Sequence, residues 1–252
     1  MPDREEMLAK IREALGRGKF GGLADQAPPP DLPPSRLPGV MPRIAPDDLQ
    51  AKFESELAKV SGVAHQASSP EELDQILKGI LEGAQAGLVV LSGNPLLARL
   101  QLANRLRPRV SSVAEWPGPD ALTPQAREAY RAACFAAPVG ITGVDFALAE
   151  SGSLVVTSAT EGSQLSSLAP PVHVALYLRS QLAESLDDVL EQLPAGSSPQ
   201  NPAAGRSVVF VTGVSRTADI EQILIRGVHG PRELHAILIE DACLGGTAPA
   251  PR

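Results

Sequence analysis

Short apolar runs alternate along this chain with segments in which apolar residues recur every three or four positions. Runs with the length of buried strands occur at Gly87–Ser92, Ser153–Thr157, Val172–Leu178, Val208–Val211 and Ala236–Ile239. Helical spacing occurs at Asp47–Val60, Ser69–Gly83, Pro95–Leu106, Thr123–Cys134 and Ser180–Leu193. Shorter strands are predicted at Val63–His65 and Arg109–Val113. Because strands and helices alternate, we expect an α/β fold with an open, mostly parallel sheet flanked by helices.

The N-terminal part of the chain has a different pattern. Residues 4–15 place their apolar side chains on one helical face, and the tract from Ala27 to Pro46 is too rich in proline to form a helix. We predict an amphipathic helix in residues 1–25, a proline-rich linker at 26–46, the α/β domain at 47–243 and a flexible tail at 244–252. Two placements of the helix are open: on its own domain, or on a neighbouring subunit of a homo-oligomer or another partner.

Composition excludes several classes of function. The chain has 252 residues, of which 43% are hydrophobic and only 3% aromatic, and its net charge is −7. Without a basic stripe or an aromatic platform, a nucleic-acid partner is not expected. No apolar run approaches the roughly 18 residues that a membrane helix needs, and the charged N-terminus is not secretory in character. We expect a soluble cytoplasmic protein without a membrane span.

Cysteine and histidine usage gives little support for a metal site. Cys134 and Cys243 form no CxxC pair, so we expect no iron–sulfur cluster and no zinc knuckle in this chain, and buried apolar thiols are the simpler interpretation. The histidines lack HxH or HExxH spacing: His65, His173, His229 and His235. The prediction is no metal and no covalently bound cofactor.

A hydroxyl-rich loop follows the strand Val208–Val211. The loop Gly213-Val214-Ser215-Arg216-Thr217 precedes an amphipathic segment, Ala218–Arg226, which we predict to be a helix. Backbone N–H groups, hydroxyls, a guanidinium and a helix N-terminus together would bind a small anion, with His229 nearby between flexible residues. Thr217 would serve equally well as an ordinary helix cap, so both interpretations are open.

A turn-rich block at residues 137–180 contains two candidate carboxylates. Asp145 and Glu150 lie close in sequence to Thr142 and to the Ser151-Gly152-Ser153 turn. Two carboxylates beside glycine turns are compatible with general acid–base work or with a nucleophilic carboxylate. The structural alternative is that Asp145 caps a turn and Glu150 forms an ion pair.

Two blocks of the sequence carry a family resemblance. GITGVDFALAESGSLVVTS, from Gly140, and FVTGVSRTADIEQILIRGVHGPRELHAILIED, from Phe210, resemble the LutC/YkgG family of lactate utilization proteins, the LUD domain. The resemblance implies a fold related to NagB, RpiA and CoA transferases, whose ligands bind at loops beyond the strand ends. It also implies a role in oxidation of L-lactate to pyruvate beside iron–sulfur partner subunits, without a redox centre of its own.

Three functions therefore stand as expectations. The first is a LutC-type subunit that binds a small anionic ligand at loops 140–153 and 212–217. The second is an independent isomerase-like or CoA-transferase-like enzyme that uses Glu150, since Glu150-Ser151-Gly152 locally resembles the transferase nucleophile turn. The third is a non-catalytic scaffold that holds partner subunits through its N-terminal helix. Whether the chain itself catalyses a step is left open.

Overall fold

The structure is a computed structural model that describes residues 43–193, 207–218, 224–227 and 229–244. Within these ranges, the side chains of 216–218 and 224–226 are outside the description. The predicted N-terminal helix, nearly all of the linker and the tail from residue 245 also lie outside the described residues. The chain divides into two compact units, residues 1–43 and 44–252, and the second contains the elements below.

Helices and strands alternate through the described ranges, as the apolar pattern predicts. The α-helices are α1 Leu49–Lys59, α2 Pro70–Gly83, α3 Pro95–Arg99, α4 Leu102–Leu106, α5 Pro124–Ala136, α6 Ser158–Glu161, α7 Leu165–Leu168 and α8 Leu186–Gln192. Short 3-10 turns occur at Pro46–Asp48, Arg179–Gln181 and Asp241–Leu244. The strands are β1 Val63–Ala67, β2 Leu88–Leu91, β3 Ser112–Glu115, β4 Val139–Thr142, β5 Phe146–Leu148, β6 Ser153–Thr157, β7 Val172–Leu178, β8 Leu182–Ala183, β9 Val208–Val211, β10 Arg216–Ala218, β11 Leu224–Arg226 and β12 Glu233–Ile239.

The main sheet has six parallel strands in the order β1-β12-β7-β4-β2-β3. In its centre Ile141 pairs with Val174, and Leu176 pairs with Ile237. The central strands are almost continuously apolar because helices or a second sheet cover both of their faces. The prediction of an open, mostly parallel α/β sheet flanked by helices is confirmed.

Different elements cover the two faces of the main sheet. On one face α2, α3 and α4 pack against the side chains of Val89 and Ile141. On the other face, α5 covers the region around Val90. A second sheet, in the order β8-β5-β6-β9, and α1 cover the region around Leu238. The far side of this second sheet packs on α8 through Val155 and its neighbours.

The connections create a crevice at the carboxyl ends of β2 and β4. The chain leaves β2 towards α3, on the first face, whereas it leaves β4 towards the second sheet, on the opposite face. β2 and β4 are neighbours, so their chains diverge at this point. In open α/β sheets, ligands bind at such a topological switch point.

Two predicted helices are wrong in part. Arg216–Ala218 and Leu224–Arg226 are paired antiparallel strands, with Thr217 opposite Ile225, so the helix predicted at 218–226 does not form at either end. Residues 219–223 lie outside the described part of the chain. Ser180–Leu193 contains β8, which pairs with β5, and becomes helical only from Leu186. In both places, pairing with another strand satisfies the backbone hydrogen bonds and overrides a local helical pattern.

Smaller differences concern element ends. Gln101 has a left-handed backbone (φ 51°) and divides the predicted helix Pro95–Leu106 into α3 and α4. The strand predicted at Arg109–Val113 begins only at Ser112. By contrast, the predicted start of α2 is confirmed, because the Ser69 hydroxyl accepts a hydrogen bond from the backbone N–H of Glu72 (3.2 Å). Among the described helices, none is long and apolar enough to cross a membrane.

Candidate functional site

A buried carboxylate occupies the crevice between β2 and β4. Glu161, the last residue of α6, has no exposed surface. The hydroxyl of Ser92 donates to one of its carboxylate oxygens, and the side-chain amide of Asn94 donates to the other. Ser92 and Asn94 belong to the turn that follows β2, so this carboxylate holds the turn in place from inside the protein.

The turns around Glu161 are shaped by capping and by close packing. The Asn94 side-chain oxygen caps α3 by accepting the N–H of Leu96 (2.9 Å), and the N–H of Gly93 donates to the backbone oxygen of Glu161 (2.9 Å). Gly143, just after β4, lies so close that a Cβ there would be 2.2 Å from the Asn94 amide carbon. Glycine is required at this position because the two turns touch.

A second carboxylate, Asp145, lies beside the first and faces a cavity. Its Oδ2 accepts the backbone N–H of Thr157 (2.8 Å) and the hydroxyl of Thr160 (3.0 Å). The same Thr160 hydroxyl is 3.4 Å from Glu161 Oε1, so it donates to one carboxylate at a time. Thr160 therefore links the buried carboxylate to the one that lines the cavity.

Burial controls the protonation of Glu161. Loss of hydration raises the pKa of its carboxyl group, and the negative charge of Asp145 acts in the same direction. Hydrogen bonds from Ser92, Asn94 and the backbone of Gly143 lower the pKa, but they do not reverse the effect of burial. Glu161 is therefore a carboxyl group that is buried away from water, and hydrogen bonds from its neighbours partly stabilise its charged form.

The cavity next to Asp145 has a volume of about 450 Å³, within the usual range for small-molecule sites. It lies where the main sheet, the second sheet and the end of α8 meet, and its wall includes Asn94, Arg99 and Phe146. Asn94 also lines a smaller cavity of about 330 Å³ on the other side of its turn. The carboxyl edge of the sheet therefore offers both space and polar groups to a ligand.

The sequence-predicted residues of the turn-rich block separate into two groups. Asp145 lies at the crevice, and the buried hydroxyl of Thr142 is 2.9 Å from His173 Nε2, inside the protein. Glu150 lies beyond the other end of β5, where its Oε1 accepts the N–H of Leu186 (2.8 Å) at the start of α8. Glu150 is therefore a helix-capping group in this structure, and its predicted catalytic role stays a prediction.

The Ser151-Gly152-Ser153 turn meets the second predicted loop. The hydroxyls of Ser151 and Ser153 are 2.8 Å apart, and Ser153 is 2.7 Å from the hydroxyl of Thr212. Gly152 has a positive φ of 65°, and a Cβ there would lie 2.2 Å from the backbone nitrogen of Leu57. The two predicted blocks therefore come together through this chain of hydroxyl groups.

The loop Gly213–Thr217 lies at the amino-terminal edge of the main sheet. Gly213 (φ 76°) packs on Val60, which lies between α1 and β1. The N–H of Ser215 donates to the backbone oxygen of Pro231, just before β12 (2.9 Å). The Ser215 hydroxyl accepts the N–H of His229 (3.3 Å). The side chains of Arg216 and Thr217 lie outside the described residues.

The structure differs from the predicted surroundings of this loop in one element, the helix expected after it, and the anion site itself stays a prediction. Arg216 begins the strand β10, so the loop leads directly into a strand, and Thr217 is a strand residue rather than a helix cap. Asp145 neighbours Thr157, whereas Thr212 neighbours Ser153, and these ends of β6 are about 13 Å apart at 3.3 Å per residue. Asp145 and Thr212 therefore lie at opposite ends of β6.

Few local sequence patterns point to the residues of the crevice that were not predicted: Ser92, Asn94, Arg99 and Glu161. A Ser-Gly-Asn turn directly after a buried strand is a recognisable signal, and in retrospect it marks the ligand edge of the sheet. Nothing near Glu161 distinguishes it from a surface glutamate, because its partner Asn94 is 67 positions away.

Metal and thiol chemistry find little support in the described ranges. No three His, Cys, Asp or Glu side chains there are grouped so that they could hold a metal ion. His65 Nε2 and His235 Nδ1 are 3.0 Å apart, and burial lowers the pKa of both rings. Cys134 and Cys243 are free and buried in separate apolar clusters, as expected, and burial raises the pKa of the Cys134 thiol to about 11.

Comparisons with known proteins agree with this architecture. Lactate utilization protein C of Halalkalibacterium halodurans is 28% identical over 240 residues, covering 94% of this chain and 98% of the relative. The uncharacterized protein YkgG of Escherichia coli is 27% identical over 244 residues, covering 96% and 100%. A crystal structure of a DUF162 family protein from Deinococcus radiodurans has the same fold, with a TM-score of 0.54 and 19% identity over 78% of this chain and 99% of that one. A profile of the LUD domain matches residues 50–239, and the chain belongs to the LUD domain family, as the sequence resemblance predicts.

Proposed function

We propose that this protein functions in lactate utilization, as a subunit required for oxidation of L-lactate to pyruvate. The observation that carries the proposal is the alignment with Lactate utilization protein C of Halalkalibacterium halodurans over nearly the full length of both chains. A relative that aligns end to end supports a shared role better than one that shares a fragment. The site that we propose for this role is the crevice at the carboxyl ends of β2 and β4.

Within that site, Asp145 is the group that we propose to contact the ligand. Its carboxylate lines the cavity, and one of its oxygens is held by Thr157 and Thr160. A carboxylate fixed in this way is suited to accept a hydrogen bond or a proton from a bound hydroxyl group. Glu161 acts as a positioning residue, because it has no exposed surface and its carboxylate holds the turn of Ser92 and Asn94.

Electrons removed from lactate would pass to partner proteins in this proposal. A cluster of the iron–sulfur kind is usually held by four cysteine thiolates, and this chain contains two cysteines. These two thiols lie in different apolar clusters of the described structure. We therefore place the redox centres in iron–sulfur partner subunits, which co-purification with the tagged full chain would identify.

Growth on L-lactate tests the proposal. A deletion strain should fail to grow on L-lactate and should recover with the wild-type gene. Asp145→Asn should not restore growth, because it removes the charge that faces the cavity, while Glu150→Gln serves as a matched control at a carboxylate outside the crevice. Normal growth of the deletion strain, or recovery with Asp145→Asn, would contradict the proposal.

The growth experiment also tests the second hypothesis, in which Glu150 is a transferase-type nucleophile. If Glu150 is the nucleophile, Glu150→Gln should abolish growth, since an amide cannot form the acyl intermediate. If Glu150 only caps α8, Glu150→Gln keeps an oxygen that accepts the N–H of Leu186 and loses only the charge at the helix N-terminus, which costs about 0.3–1 kcal/mol and should leave growth intact. A melting curve of purified Glu150→Gln separates loss of folding from loss of function.

A further inference from the structure

The cavity beside Asp145 is larger and more apolar than lactate requires. Lactate has six non-hydrogen atoms and would fill only about two fifths of the volume, if each atom takes the roughly 30 Å³ that a water molecule occupies in the liquid. Most of the wall is apolar and comes from three layers of the fold: Leu96, Val144, Phe146, Leu178, Leu193 and Val208. A surface of this kind gains most from an apolar ligand of comparable length.

Two polar groups on the wall are available to a ligand. Arg99, in the last turn of α3, is exposed and makes no ion pair or hydrogen bond within the described part of the chain. Asp145 uses Oδ2 for its two threonine contacts, and its Oδ1 has no partner among the described residues. The side-chain amide of Gln181, by contrast, is engaged by the backbone oxygen of Val144 (2.5 Å).

We propose that this cavity binds an amphipathic organic anion that is larger than lactate. A carboxylate or phosphate ester pairs with Arg99, a hydroxyl or N–H group donates to Asp145, and an apolar chain or ring lies against Phe146 and its neighbours. This inference rests on the proposed function only for the location of the site. It deepens that function by making the ligand of this subunit a molecule other than the lactate that is oxidised.

Binding to the purified full-length chain tests the inference, with octanoate as the probe. Calorimetry should show saturable binding of one octanoate per chain, and L-lactate should bind at least about tenfold more weakly because it lacks the apolar chain. Octyl phosphate in place of octanoate distinguishes a phosphate ester from a carboxylate as the preferred anion. Absence of octanoate and octyl phosphate binding, or equal affinity for L-lactate, would overturn the inference.

Two substitutions at exposed positions locate the binding. Arg99→Met should weaken octanoate binding about tenfold or more, because it removes one charge-assisted hydrogen bond. Val208→Asp should also weaken binding about tenfold or more, because it places a carboxylate in the apolar wall. Arg127→Met is the matched control, because Arg127 is also exposed and lies on α5, outside the cavity wall. Unchanged affinity in both cavity variants, with intact melting curves, would rule out this cavity as the site.

The outcomes are separable from those of the growth experiment. If the deletion strain grows normally on lactate while octanoate binds as expected, the proposed function fails and the ligand class stands. If growth depends on Asp145 but neither probe binds, the ligand class fails and the proposed function stands.

Discussion

Removal of the Glu161 carboxylate should strongly destabilise the crevice. In Glu161→Ala the Ser92 hydroxyl and the Asn94 amide, both buried, lose their acceptor. Each unsatisfied group costs about 1–3 kcal/mol, so the free energy of unfolding should fall by roughly 2–6 kcal/mol for the two groups together. Glu161→Gln retains the shape and one acceptor, and it should cost only about 1–2 kcal/mol.

The pH dependence of these variants tests the reasoning more specifically. Burial raises the Glu161 pKa above its ordinary value of 4.5, so the folded protein holds this proton more tightly than the unfolded chain. Stability from this group is fully present below about pH 4.5 and is lost as the pH rises through the folded-state pKa. The advantage of the wild type over Glu161→Gln should therefore be largest near pH 4.5 and smaller at higher pH.

Urea unfolding followed by circular dichroism between pH 4.5 and 8 measures both quantities. The difference between wild type and Glu161→Gln removes the contribution of distant titrating residues, whereas the coupling of Glu161 to Asp145 remains part of the measured difference. Glu150→Gln is the control, because it removes a carboxylate that only caps α8. A stability difference that is constant with pH, or a cost of less than about 1 kcal/mol for Glu161→Ala, would refute the buried-network interpretation.

Three further predictions follow from the packing. Gly143→Ala places a methyl group 2.2 Å from the Asn94 amide carbon and should lower the free energy of unfolding by about 1–3 kcal/mol. Gly79→Ala has open space around it on a helix and should raise the free energy of unfolding by about 0.5–1 kcal/mol. Melting curves of the two variants measure both effects. Burial lowers the pKa of His235 to about 4, so the unfolded chain binds a proton on this ring more readily than the folded protein does. The free energy of unfolding should therefore fall by about 1.4 kcal/mol per pH unit for this group as the pH decreases from about 6.5 towards 4. In His235→Asn, urea unfolding should show a correspondingly weaker dependence on pH. Tyr177→Phe should be neutral or stabilising by about 1 kcal/mol, because the buried hydroxyl finds no hydrogen-bond partner in the described structure; a lower unfolding free energy would show that a partner exists.

The outline of the fold was predictable wherever a local pattern was sufficient. Ser153–Thr157 and Val172–Leu178 are strands with the predicted ends, because continuous apolar runs bounded by turn residues allow few alternatives. β8 at Leu182–Ala183 was not predicted, because its two residues become a strand only beside Leu148 and Ala147 of β5. The same reason explains the paired strands at 216–218 and 224–226, where cross-strand pairing overrides a local helical pattern.

The candidate site shows the same division. The sequence alone identifies an α/β domain of the LUD type and singles out Asp145, because a carboxylate among glycine turns is visible in the local order of residues. Only the tertiary structure identifies Glu161, since its importance comes from burial between turns that are 67 positions apart. The tertiary structure also places Asp145 and Thr212 at opposite ends of β6. Local sequence determines which segments form strands and helices. The burial and the neighbours of a charged group depend on segments that are distant in sequence, so only long-range packing decides which carboxylates lie together.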